Sequence, residues 1–378
     1  MSDAWDITKH YGGTATVVFK PGAHGYWVTD PEHPDGPVID KRTGGGTSLT
    51  GTLNKGQALM MWPMWEMNKS LKQQFETMTV LDLISNPDIT LESILLRARE
   101  AHKNKSDLGK SVGTSAHAWV EEYSKAKMAS QQTGEPFVDP PILEVEDIVK
   151  VLRAAYIRVI NTTKPGSIEE FEKLPKLFTK EIEINSALHA EATMVRQSTI
   201  AAKAWLDMHD IIVHGTEDTV YSRKMFVCGK YDGDWTVPCT KKCNWCYRNG
   251  NMSLPEKDYT GRYIVDFKST NASAESPKGI YPEYLVQCAI YDVAKTEEFP
   301  EIHFDGYLIL NGSKKPLVDK KTGYEYPVFN THFSFDTTGH RRWAILLAEN
   351  KELIWRANQE MKESNEAIKP PKEAAKSA

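Results

Sequence analysis

The sequence predicts an α+β protein in which a mixed β-sheet is flanked by helices. Apolar residues recur at helical spacing from residue 91 to about 211. Short runs rich in β-branched and aromatic residues then take over, from Ile211 to Leu310. A helical stretch, Pro282 to Lys295, separates the last two of those runs. Helices, then a meander of strands, then helix and strand, is the order that leaves a sheet with helices packed on its faces.

Taken in order, Thr14–Phe19 and Tyr26–Thr29 read as a hairpin, punctuated by Pro21-Gly22 and Gly25. Gly44 to Gly46 leads to Thr47-Ser-Leu-Thr50 and then to an aromatic helix around Leu59, Trp62 and Trp65. The triple glycine lacks the Gly-Lys-Ser/Thr ending that a phosphate-cradling loop needs. Leu91, Ile94, Leu95 and Ala98 share a helix face. Gly113-Thr-Ser115 reads as the start of a further helix carrying Ala118, Val120, Glu121 and Tyr123. Pro136, Pro140 and Pro141 interrupt this region before Ile142–Ile160 and Ala187–Ile211 resume it. Strands are expected at Ile211–Val213, Thr219–Tyr221, Met225–Cys228, Tyr263–Phe267 and Gly306–Leu310. This divides the chain into an N-terminal hairpin and helical segment (1–90) and a helical part (91–212). A sheet-bearing core (213–345, with a cysteine-containing loop at 238–261) and a C-terminal helix with a disordered tail (346–378) complete it. No internal repeat is present.

Composition narrows the function. Of 378 residues 40% are apolar and 26% charged, which supports a sizeable core. The formal net charge of −5 excludes a grip on nucleic acid by bulk charge, so any such grip must be a local basic groove. No apolar run approaches the ~20 residues of a membrane span. The opening Met-Ser-Asp-Ala-Trp-Asp lacks the basic start and apolar stretch of a secretory signal, so a cytoplasmic location without disulfides is expected.

The chemistry concentrates between Glu217 and Tyr291. Val227-Cys-Gly-Lys-Tyr-Asp232-Gly-Asp234 reads as one strand and Tyr263-Ile-Val-Asp266-Phe-Lys268 as a second. Alternation puts Asp266 and Lys268 on the same face of their strand. Pairing the two strands as a hairpin would bring Asp232 beside Asp266. Two carboxylates and an ammonium then converge, the set that phosphodiester hydrolysis needs: ligands for a divalent cation and a lysine that orients water or offsets charge on the phosphate.

Four segments in order resemble the RecB-like branch of the PD-(D/E)xK nucleases, which includes phage, CRISPR-associated and mitochondrial genome-maintenance exonucleases. Gly113-Thr-Ser-Ala-His117-Ala-Trp-Val-Glu121 resembles the family's helical histidine motif, and Gly229-Lys-Tyr-Asp232 its G-x-x-D motif. Asp266-Phe-Lys268 resembles the D-x-K motif, and Gln287-Cys-Ala-Ile-Tyr291 the Q-x-x-x-Y motif. Thr47–Thr50 with Leu59 and Trp62 is similar to the family's leading segment, so the likeness covers about residues 45 to 310. The resemblance implies a restriction-endonuclease-like fold and a metal-dependent DNA exonuclease using Mg²⁺ or Mn²⁺. His117, Asp232, Asp266 and the Phe267 carbonyl would be metal ligands, with Lys268 catalytic and Gln287 and Tyr291 positioning DNA or bracing the site. Glu217 stays open between ligand and surface carboxylate, and His117 read alone is more readily a core histidine than a ligand. The implied partners are single-stranded DNA or duplex ends, a recombination partner protein and further copies of the chain in an oligomer. A phage origin would make the compartment the host cytoplasm.

Four of the five cysteines fall close together: Cys228, Cys239, Cys243 and Cys246. The C-x₃-C-x₂-C spacing matches the radical-SAM cluster motif, but no repeating β/α pattern follows it. A structural Zn²⁺ that knots a polar loop is the preferred reading, with Cys228 either the fourth ligand or a buried small hydrophobe. An iron–sulfur cluster is less favoured, because the RecB-like nucleases that hold one usually place a cysteine before the histidine motif and this chain has none there. Arg97, Arg99, Lys103, Lys105, Lys110, Lys241, Lys242 and Arg248 supply local positive charge, and Trp62, Trp65 and Trp245 are candidates for stacking on unpaired bases. The competing reading is an inactive nuclease-fold scaffold that binds nucleic acid with a zinc loop. Intact Asp232, Asp266 and Lys268 weigh against it.

Overall fold

The computed structural model describes residues 5–23, 25–50, 56–77, 90–152, 181–238, 260–270 and 281–367. Two sheets organise it. The first begins as an antiparallel meander, β1 (Asp6–His10), β2 (Ala15–Lys20), β3 (Gly25–Asp30) and β4 (Val38–Gly45). The expected hairpin is β2–β3 within it. Here β4 also pairs in parallel with β7 (Val227–Lys230), which pairs with β6 (Thr219–Ser222), giving the order β1-β2-β3-β4-β7-β6. The sheet curls until β1 approaches β6, around a core of Ala15, Val17, Val28, Val38, Tyr221 and Cys228. The N-terminal strands are therefore continuous with those preceding Asp232.

The second sheet is mixed, in the order β13-β10-β9-β8-β5. Its members are β5 (Ile212–Gly215), β8 (Gly233–Val237), β9 (Gly261–Thr270), β10 (Gly306–Ser313) and β13 (Phe329–Ser334). Only β9 and β10 run parallel; β11 (Leu317–Val318) and β12 (Glu325–Tyr326) form a separate small ribbon. Strand alternation divides the core in two. Tyr263, Val265 and Phe267 of β9, with Leu308 and Leu310 of β10, pack against α3 (Leu91–Thr133) and α4 (Glu181–Leu206). Ile264, Tyr307 and Ile309 face the other way, against α5 (Pro282–Glu298) and α6 (Thr337–Ala367). Further described helices are α1 (Gly46–Thr50), α2 (Gly56–Thr77) and the helical residues 145–152. This is the predicted mixed sheet flanked by helices. No described helix is long and apolar enough to cross a membrane.

Two local expectations are corrected. Gly113-Thr-Ser115 does not open a helix but lies inside α3. Val112, Ala116, Trp119, Val120 and Tyr123 are buried on one stripe through that point, and their packing outweighs the ~1 kcal/mol cost of an internal glycine. Nor is Val227–Asp234 one strand. β7 ends at Lys230, β8 begins at Gly233 in the other sheet, and Tyr231 and Asp232 form the corner. Tyr231 is buried with its hydroxyl bonded to Asp218, which holds the corner in place. The loop carrying Cys239, Lys241, Lys242, Cys243, Trp245, Cys246 and Arg248 lies outside the described residues, as do the tail from Lys369 and the side chains of Leu59, Trp62, Arg97, Arg99, Lys103, Lys105 and Lys110.

Candidate metal centre and active site

The site forms where β9 loses a neighbour. β10 follows β9 as far as Thr270, but β8 covers the opposite edge only to Val265. Asp232, at the corner preceding β8, takes over: its Oδ2 accepts the Phe267 N–H at 2.6 Å, replacing a ladder carbonyl with a carboxylate. The N–H and C=O of one residue lie on the same edge of an extended strand, so the Phe267 carbonyl also opens onto this edge. The Thr216 hydroxyl donates to the Asp232 carbonyl at 3.0 Å and fixes the corner from the β5 side.

α3 delivers His117 to the same carboxylate. Flanking Ala116 and Val120 are buried, and the imidazole packs 5.9 Å from the Phe267 ring. Its Nε2 lies 2.6 Å from Asp232 Oδ2 and its Nδ1 3.5 Å from Glu217 Oε1. Ligand atoms of His117, Glu217 and Asp232 all fall within 4.8 Å of one another. Glu217 holds a left-handed backbone (φ 52°), which aims a loop carboxylate inward. Burial alone would lower the His117 pKa, but the hydrogen bond and charge of Asp232, then the charge of Glu217, raise it to about 9. Burial first, and then the charge of Asp232, raise Glu217 to about 7 against the opposing pull of His117.

Asp266 and Lys268 share a face of β9, as alternation requires. Asp266 is 2% exposed; its Oδ1 accepts from Lys268 Nζ at 2.7 Å, while its Oδ2 is buried with no hydrogen-bond partner among the described residues. Burial pushes Asp266 up and the neighbouring Lys268 opposes it. For Lys268 burial favours the neutral amine, but Asp266 and Asp232 overcome it and hold the ammonium firmly protonated. An unsatisfied carboxylate oxygen in the interior costs free energy unless something cationic meets it. Carboxylate oxygens with one imidazole and a strand carbonyl make a hard donor set that suits Mg²⁺ or Mn²⁺.

Gln287 and Tyr291 are joined to each other on α5. Gln287 Nε2 donates to Tyr291 Oη at 2.8 Å, and the Tyr291 ring is buried. A Cβ at Gly229 would stand 2.4 Å from Tyr291 Cε1, and one at Gly46 2.9 Å from the same atom. Both glycines are bare so that the ring can wedge between α1 and β7. This explains the glycine of the G-x-x-D segment: it answers the tyrosine of Q-x-x-x-Y.

Sequence reasoning missed Thr216, the role of Gly46, and Tyr284, whose ring lies 4.9 Å from Lys268 Nζ. Tyr284 was detectable, since it stands three and seven residues before Gln287 and Tyr291, on one helix face. Cys228 packs among the apolar side chains of the curled sheet, where burial raises its thiol pKa far above the usual range. That is the environment of a small hydrophobe. Trp65 is exposed. The chain matches no protein-family model and no curated protein.

Proposed function

We propose that the chain is a metal-dependent DNA exonuclease with a restriction-endonuclease-like core, of the RecB-like PD-(D/E)xK kind. The observation that carries the reading is the meeting of His117, Asp232, Asp266 and Lys268 from α3, the β7–β8 corner and β9. These positions lie far apart in sequence, and a solvated strand face would not bury Asp266 with an unpartnered oxygen. Asp232, Asp266, His117, Glu217 and the Phe267 carbonyl are the groups that would hold Mg²⁺ or Mn²⁺. When bound, the cation would polarise the phosphate and lower the pKa of an attacking water. Lys268, held protonated by two carboxylates, suits offsetting negative charge on the phosphate rather than taking a proton from water. His117 must lose its proton to ligate, so cation binding at neutral pH displaces that proton. Cys239, Cys243 and Cys246 would hold a structural Zn²⁺ outside this chemistry. Elemental analysis should find about one zinc per chain; protein free of both zinc and iron would refute that part.

The test is cleavage of end-labelled single-stranded and duplex DNA with Mg²⁺, Mn²⁺ or EDTA. Asp266→Ala should abolish cleavage and most Mg²⁺ affinity. Lys268→Ala should keep DNA and metal binding but lower the single-turnover rate by on the order of 10² or more. Unimpaired cleavage by both variants would sink the assignment.

A further inference from the structure

The outer face of the N-terminal meander carries side chains that neither the core nor the metal centre uses. The register aligns Ile7, Val18, Trp27 and Arg42 in one row across β1 to β4. Lys20 lies next to that row, with Nζ 4.9 Å from the centre of the Trp5 ring and 4.4 Å from that of Trp27, and the Arg42 guanidinium stands 5.4 Å from Trp27. Trp5 is 57% exposed and Ile7 58%, on a sheet face that would ordinarily carry polar residues. Gly25 makes room for this arrangement, since a Cβ there would approach Arg42 Nε and Trp27 Cζ3 to 3.1 Å each.

We propose that this face binds an unpaired DNA strand, with bases stacking on Trp5 and Trp27 and phosphates meeting Lys20, Arg42 and Lys9. Charge selects the occupant. Lys9, Lys20 and Arg42 are opposed on this face by Asp40, which pairs with Lys20 at 3.6 Å while largely exposed. A cationic sheet interleaved with indole rings suits a polyanion with flat, unpaired bases. Continuity supplies the purpose. From Arg42 the strand runs three residues, roughly 10 Å, to Gly45, and the next residue, Gly46, packs against Tyr291. The choice of DNA over RNA rests on the nuclease reading, whereas single-strand binding does not.

The test is fluorescence anisotropy of labelled oligo(dT) with the full chain in EDTA, so that binding is read without cleavage. Trp5→Ala and Arg42→Ala should each weaken binding on the order of tenfold, and Arg42→Ala should also flatten the dependence on salt. Both side chains are exposed, and unchanged melting of the variants confirms their folding. Cleavage of a thymidine phosphodiester too short to span the face should stay at the unmodified rate. Unaltered oligo(dT) affinity in both variants would overturn the platform, and tighter binding of oligo(U) would overturn the choice of DNA. Normal binding with no cleavage under any metal would instead count against the nuclease reading alone.

Discussion

At the residue scale, protonation governs how the site responds to pH. Glu217 has a folded pKa of about 7 against an ordinary 4.5, and His117 about 9 against 6.5. Both are raised, so both stabilise the metal-free protein at low pH. The Glu217 contribution fades as pH rises from 4.5 through 7, and that of His117 as it rises from 6.5 through 9. The melting temperature of metal-free protein should fall across that window, with the decline flattened in His117→Gln. A divalent cation held by the proposed ligands would compete with protons for the same groups, so stabilisation by Mg²⁺ should be larger at pH 8.5 than at pH 5.5. Calorimetric melts with and without Mg²⁺ check both slopes, and a Mg²⁺ effect independent of pH would place the ion elsewhere.

At the element scale, the contact between α5 and β7 invites a swap. Gly229→Ala pushes a methyl into Tyr291 Cε1 and should cost about 1–3 kcal/mol, read as a shift in the urea midpoint. Tyr291→Leu alone should also destabilise, yet the double variant should cost less than the sum, because the smaller side chain relieves the clash. Strict additivity would show that the two residues do not press on each other. This scale also shows where the sequence was legible. Alternation put Asp266 and Lys268 on one face of β9, and helix spacing found the helical stretches of α3, α4 and α5, because those signals are local. Helix spacing also broke α3 at Gly113 and ran α4 on to Ile211. The change of sheet at Tyr231–Asp232 was not legible. It depends on Asp232 bonding a strand 35 residues away, and on Tyr231 reaching Asp218. The glycine slot was likewise hidden, since it exists only once Tyr291 arrives.

At the scale of the whole molecule, the curled N-terminal sheet grips the end of the helix that carries Gln287 and Tyr291. Glu298 accepts from the Tyr11 N–H at 2.7 Å and lies 2.8 Å from His10 Nδ1, while Glu297 accepts from the Ser222 hydroxyl at 2.6 Å. His10 and the Glu298 side chain are 5% and 8% exposed, so removing one strands the other. Glu298→Ala leaves the Tyr11 N–H and His10 Nδ1 without this acceptor and should lower stability by about 1–3 kcal/mol. Because the sheet and α5 share this joint, it should also slow cleavage of long strands more than it weakens Mg²⁺ binding. Equal effects on both would mean that the joint only holds the fold together.

The antiparallel ladder of β8 and β9 runs from Gly233 opposite Val265 to Val237 opposite Gly261. Asp232 abuts the first end, and the cysteine-bearing segment leaves and returns at the second. Its two roots, Val237 and Gly261, are cross-strand neighbours about 5 Å apart, a gap that a tight two-residue turn could bridge. Length and content could change between these roots without altering the register of the ladder that Asp232 abuts. An engineer could excise the segment or graft a foreign module there and keep the pairing of β8 with β9.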